Sequence, residues 1–150
     1  MAANAPEVQI LSDEGTTTRV KIHGYFNASA NANSNTVVVT ANALSFANTS
    51  QTCLFSIAKV EYAVDVANGF IALQWVGANN NTGIMSFGTS QGGMFDYYIP
   101  NNATNPTGDL NLAVYNLAGN DVYTIMMTLN KESGYANAFL RYDESGRTIP

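Results

Sequence analysis

The sequence predicts an all-β chain: an antiparallel β-sandwich, jelly-roll-like, with nine or ten short strands. Three observations carry this expectation. Almost every patterned segment alternates with period two, the segments are short and closely spaced, and clusters of Asn, Gly, Pro and Thr separate them. Such a pattern marks a sandwich or barrel rather than a helical or α/β chain. At 150 residues the chain suits one domain, 1–150. An eight-stranded jelly roll is the commonest architecture for that length, with a closed barrel as the alternative.

The elements follow in order. "VQIL" opens the series. "TRVKIHGYF" puts Val20, Ile22 and Phe26 on one side and Arg19, Lys21, His23 and Tyr25 on the other. "NTVVVTA" is a β-branched run, and "NALSFANTSQTCLF" has room for one helical turn. "CLFSIAKVEYAVDV" turns Val60, Tyr62, Val64 and Val66 one way and Lys59, Glu61 and Asp65 the other. "FIALQWV" follows it across Asn68-Gly69, a type I′ hairpin signal. "GIMSFG", "GMFDYYI", "DLNLAVYN", "DVYTIMMTL" and "YANAFLRY" complete the series. In the ninth, Tyr123, Ile125, Met127 and Leu129 form a core face, and Val122, Thr124, Met126 and Thr128 form an outer face that carries no charge. Residues 27–35, 76–83 and 100–109 read as amide-rich loops, the last with two prolines that oppose a ladder. Residues 1–6 and 145–150 read as flexible arms.

Composition narrows the function. Net charge is −5 and only 11% of residues are charged, against about 25% in an average soluble domain. The six basic residues are scattered, which argues against nucleic acid as a partner. Nineteen Asn and twenty-four Ser and Thr take the place of charges. Sheet edges are ordinarily protected by charge, and interface cores are depleted in it, so this composition predicts assembly with neighbours or with copies of itself, with a monomer whose surface is rich in amides as the alternative. The one cysteine, Cys53, allows no disulfide within a chain. No apolar run reaches the length of a membrane helix. The opening "MAANAPEVQILSDEG" has neither the basic nor the apolar region of a signal peptide, which leads us to expect folding in a cytoplasm.

Few residues suggest chemistry. "GTSQG", Gly88 to Gly92, matches the G-x-S-x-G pattern, but a strand-like segment follows it and His23, the only histidine, precedes it, so the order of a serine hydrolase fails. Gly88, Gly92 and Gly93 read instead as turn or bulge residues. Asp96, Asp109, Asp121 and Glu132 lie near strand ends, where acids are usually turn formers rather than a glycosidase pair. One histidine without thiols does not make a transition-metal site, and the Asn-rich loops lack the carboxylates of a calcium loop. No cofactor is expected. Trp75 reads as core. Tyr97 and Tyr98 are consecutive in a strand, so one should point out. Together with Asn79, Asn80, Asn81 and His23 they are the candidate contacts for a partner.

Three stretches, "VQILSDEGTTTRVKIHGYFN", "ALQWVGANNNTGIMSFGTSQGGMFDYYIPNN" and "NPTGDLNLAVYNLAGNDVYTIMMTLNKESGY", resemble in their order small virion structural proteins of tailed bacteriophages, particularly marine and cyanobacterial ones. The resemblance runs from about Val8 to Tyr135. It implies a particle protein without catalytic residues, most consistent with a capsid decoration (cement) protein on the virion surface. Its partners would be the major capsid protein and further copies of itself, as a dimer or trimer. A tail, baseplate or fibre component and a carbohydrate-binding module contacting host glycans are the alternatives.

Overall fold

The computed structural model describes residues 5–26, 32–135, 141–142 and 148–149. Nine strands build two antiparallel sheets: β1 (Glu7–Asp13), β2 (Thr17–Phe26), β3 (Ala32–Val39), β4 (Leu54–Asp65), β5 (Phe70–Gly77), β6 (Thr82–Gly88), β7 (Gln91–Phe95), β8 (Pro106–Leu117) and β9 (Asp121–Ser133). One sheet has the order β1-β2-β9-β4-β7 and the other β3-β8-β5-β6. The pairings nest: β2 with β9, β3 with β8, β4 with β7, β5 with β6. The chain is thus one long hairpin with its tip at β5–β6. Rolling it up adds β4 to β9 and β5 to β8. That is the expected jelly roll, with β1 added outside β2. The helical turn expected before β4 is a 3-10 turn, Ala41–Ala43.

Alternation builds the core. On β9, Tyr123, Ile125, Met127 and Leu129 are buried, while Val122, Thr124, Met126 and Thr128 are half-buried on the outer face. Val20, Ile22 and Phe26 join the core from β2. Ile71, Leu73 and Trp75 join it from β5, with Trp75 set edge-on to Phe55 at 5.6 Å. On β4 the alternation slips once. Phe55 and Ile57 face inward at odd positions, Val60 and Val64 at even ones, and the register shifts between Ile57 and Lys59. A bulge at Ala58 takes up the extra residue.

Several expectations are corrected. Asn68-Gly69 is not a hairpin: β4 and β5 lie in different sheets, and neither residue has a positive φ. Gly69 is required for another reason, since a Cβ there would collide with the Tyr115 carbonyl oxygen. The loop expected over 27–35 gives way at Ala32 to β3, whose backbone pairs with β8 despite its polar side chains. Pro106 begins β8 opposite Gly77 rather than excluding a ladder, as a first strand residue can. Gly88, Gly92 and Gly93 lie in strands, and the β6–β7 turn is made by Thr89 and Ser90, at φ 27 and 30. Of "YANAFLRY", residues 136–140 lie outside the described residues, as do residues 1–4, 145–147 and 150 of the two arms. Arg141–Tyr142 pairs with Thr148–Ile149.

Among the described residues two charged side chains are buried, Asp121 and Lys131. The Lys131 ammonium donates to Asp13 Oδ1 at 2.7 Å, to the Ser45 carbonyl at 2.8 Å and to the Glu14 carbonyl. It lies over the rings of Phe46 and Tyr135, at 5.6 and 5.4 Å. Burial alone pushes the Asp13 carboxyl up. The hydrogen bonds it accepts from Lys131, Ser45 and Thr18 outweigh that and hold it below its ordinary 3.8.

Ile125→Asp and Leu129→Asp should each abolish cooperative folding. Each loses about 1.5–3 kcal/mol of side-chain burial and places an unpaired carboxylate in the core. Thr128→Asp, on the outer face between Arg19 and Lys59, should fold with an unfolding midpoint close to that of the parent chain. A second expectation concerns pH. Because Asp13 binds its proton more weakly when folded, its contribution is full above the ordinary aspartate pKa and is lost as pH falls through the lowered one. Asp13→Asn should therefore cost roughly 3 kcal/mol in urea unfolding near neutral pH, the scale of a buried charge left unpaired. The gap should shrink below about pH 4.

Candidate functional site

Two surfaces stand out once register is known. The first is the outer face of the four-stranded sheet. Three rows cross it. Phe70 and Tyr115 are opposite one another on β5 and β8, with rings stacked at 4.5 Å and 24°. Beside them run Asn35, Ala113, Ala72 and Ser86, one from each strand. The third row holds Val37, Asn111 and Gln74. There the Asn111 amide donates to Gln74 Oε1 at 3.0 Å and to Asn35 Oδ1 at 3.3 Å, and the Asn81 amide donates to Gln74 at 3.3 Å. None of these residues is charged. Val37 and Phe70 are exposed, whereas Ala113 and Asn111 of the second and third rows are buried.

The second surface is the free side of β7. Every residue from Gln91 to Phe95 is exposed, and among the described residues β7 pairs only with β4. A file of rings leads out from the core beside it: Phe87 to Tyr62 at 4.6 Å, Tyr62 to Phe95 at 5.6 Å, and Phe95 to Tyr97 at 6.2 Å. Beyond Phe95, three residues bulge out before Ile99 exchanges both backbone hydrogen bonds with Ile57. That bulge corrects the expectation for the tyrosines. The strand ends at Phe95, and Tyr97 and Tyr98 both point outward, 67% and 65% exposed. Met94 is 57% exposed.

The remaining candidates are dispersed. Asn79, Asn80 and Asn81 form the exposed tip of the β5–β6 hairpin. His23 lies on the outer face of the five-stranded sheet with Nδ1 2.8 Å from Thr124 Oγ1, in a cross-strand row of Glu7, His23, Thr124, Ala63 and Gly92. Two open hollows of about 400 and 260 Å³ adjoin this row and share Ala63 and Thr124. Three of the four strand-end acids hold their own chain: Asp109 accepts from the Ala41 N–H, Asp121 from Ala67 and Ala118, and Glu132 from Ser56. Among the described residues no three of His, Cys, Asp and Glu gather in one place.

No family model matches the chain, and no curated protein does. Several solved structures are similar to it at low sequence identity. A subunit of Bacillus endospore appendages, a family of disulfide-linked pili, is 12% identical over 87% of this chain and 93% of its own, with a TM-score of 0.41. A family 29 carbohydrate-binding module is 10% identical over 91% and 95%, with a TM-score of 0.43. A double-stranded β-helix protein from Klebsiella pneumoniae is 9% identical over 85% of each chain, with a TM-score of 0.30. Likeness at this level carries no argument about function.

Proposed function

We propose that the protein is a virion structural protein of a tailed bacteriophage: a capsid decoration protein that binds the outer head lattice and stabilises it. The observation that carries this reading is the uncharged outer face of the four-stranded sheet. A surface whose centre is aromatic, small and amide-bearing has the make-up of an interface core, and the sequence resemblance supplies the kind of particle. A protein that binds the assembled shell and not its free subunits stabilises the shell by mass action. No catalytic step is needed. The exposed Tyr97 and Tyr98 favour a second reading, a glycan-binding module that uses aromatic rings as platforms.

Added protein should raise the temperature at which purified heads lacking it release DNA. Val37→Glu, which places a charge on the exposed face, should fold normally and lose that protection. On a glycan array the decoration reading expects no signal. A signal abolished by Tyr97→Ala or Tyr98→Ala, together with no protection of heads, would instead establish the glycan reading.

A further inference from the structure

The four edges of the two main sheets are not equal. The pairings of β1, β3 and β6 with their neighbours each contain a register irregularity. Bulges of this kind twist an edge away from further pairing. The ladder of β7 with β4 is regular from Val60 opposite Phe95 to Val64 opposite Gln91, and the bulge on this edge comes only beyond Phe95. Strand β7 carries no charge, and neither does anything else from Thr82 to Phe95. Its outer backbone groups are a template for another strand.

Gly92 indicates what that strand is. Its φ is not positive, and a Cβ there would meet only the Tyr62 carbonyl oxygen, at 3.6 Å. Among the described residues nothing requires a glycine there, which weakens a strand, whereas a large side chain laid across that position from a neighbouring strand would favour one. The sequence Gln91-Gly92-Gly93-Met94-Phe95 is small in its middle and large towards its end. When it is run antiparallel to itself about Gly93, Met94 of each copy falls opposite Gly92 of the other. The floor beyond Gly92 is Ala63 and Thr124, between the two hollows described above.

We propose that β7 pairs with β7 of a second copy about a two-fold axis through Gly93. This makes one ten-stranded sheet, with each Met94 seated over the other copy's Gly92 and Ala63. The bulge carrying Tyr97 and Tyr98 then lies against the other copy's β6–β7 turn. Met94, Phe95, Tyr97 and Tyr98 are 57%, 36%, 67% and 65% exposed. At roughly 200 Å² per large side chain, their full burial removes about 450 Å² a copy and about 900 Å² for the pair. With the backbone edges added, that approaches the roughly 1,000 Å² of a specific interface. The inference deepens the assembly reading, but its test needs no capsid.

Sedimentation equilibrium of the isolated full chain should show a monomer–dimer equilibrium. Gly92→Lys, with the same thermal midpoint, should raise the dimer dissociation constant roughly tenfold or more, as charge on an open edge does. Register is tested by cysteines. Gly92→Cys with Met94→Cys in one chain should give a covalent dimer on non-reducing gels, while either alone should not, because each position faces the other and not itself. A monomer at all concentrations, an unchanged constant in Gly92→Lys, or no cross-link in the double variant would overturn the proposal. Loss of head protection would not bear on it.

Discussion

Strand β9 is the constraint on which the larger sheet depends, because it is paired along its length on both sides, with β2 and with β4. A residue on its inner face meets the core, and a residue on its outer face meets two cross-strand neighbours at once. Thr128 stands between Arg19 and Lys59, and Met126 between Lys21 and Glu61. A cation at 128 would oppose like charges on both flanks, which is destabilising. At 126 a charge of either sign would meet a like charge on one flank. The uncharged outer face of β9 therefore separates the charged rims of its neighbours, and the strand remains free of Lys and Arg until Lys131.

Lys131 lies where the strand leaves that environment. Its ammonium gathers the β1–β2 turn through Asp13 and Glu14, the segment after the 3-10 turn through Ser45, and the rings of Phe46 and Tyr135. Phe46 has φ 68, a conformation rarely adopted by a bulky residue, and it holds its ring beside the cation. A buried ion pair is often no more stabilising than a packed apolar group of the same volume. What it adds here is position: three backbone segments are fixed to one atom, and with them the end at which β1 joins the sheet.

The architecture was legible because period two survives in nearly every strand and because turn residues separate the strands. The failures share one cause: register and sheet assignment are not local properties. Asn68-Gly69 carries hairpin chemistry but sits at a crossover between sheets, where Gly69 answers the Tyr115 backbone instead. Tyr97 and Tyr98 were expected to alternate, and a bulge turned both outward. The uncharged face was not legible at all. Phe70 meets Tyr115, and Gln74 meets Asn111, across strands far apart in the chain. Trp75 was read correctly because its apolar neighbours on β5 are local.

The two surfaces lie on different sheets, and this matters for how they would act together. When Met94 of each copy lies on the same side of the joint sheet as Gly92 of the other, the two-fold axis runs perpendicular to that sheet. The uncharged faces of both four-stranded sheets then point in one direction, away from the joint sheet. A monomer would present one such face to a lattice, whereas the dimer would present two, at a spacing fixed by a continuous sheet rather than by a linker. Rigid presentation of paired faces to a repeating surface makes the second contact intramolecular. Avidity then exceeds the affinity of either face wherever the spacing matches the lattice, and is lost where it does not. On the proposed reading a weak uncharged face would suffice, because selectivity for an assembled shell would come from the spacing.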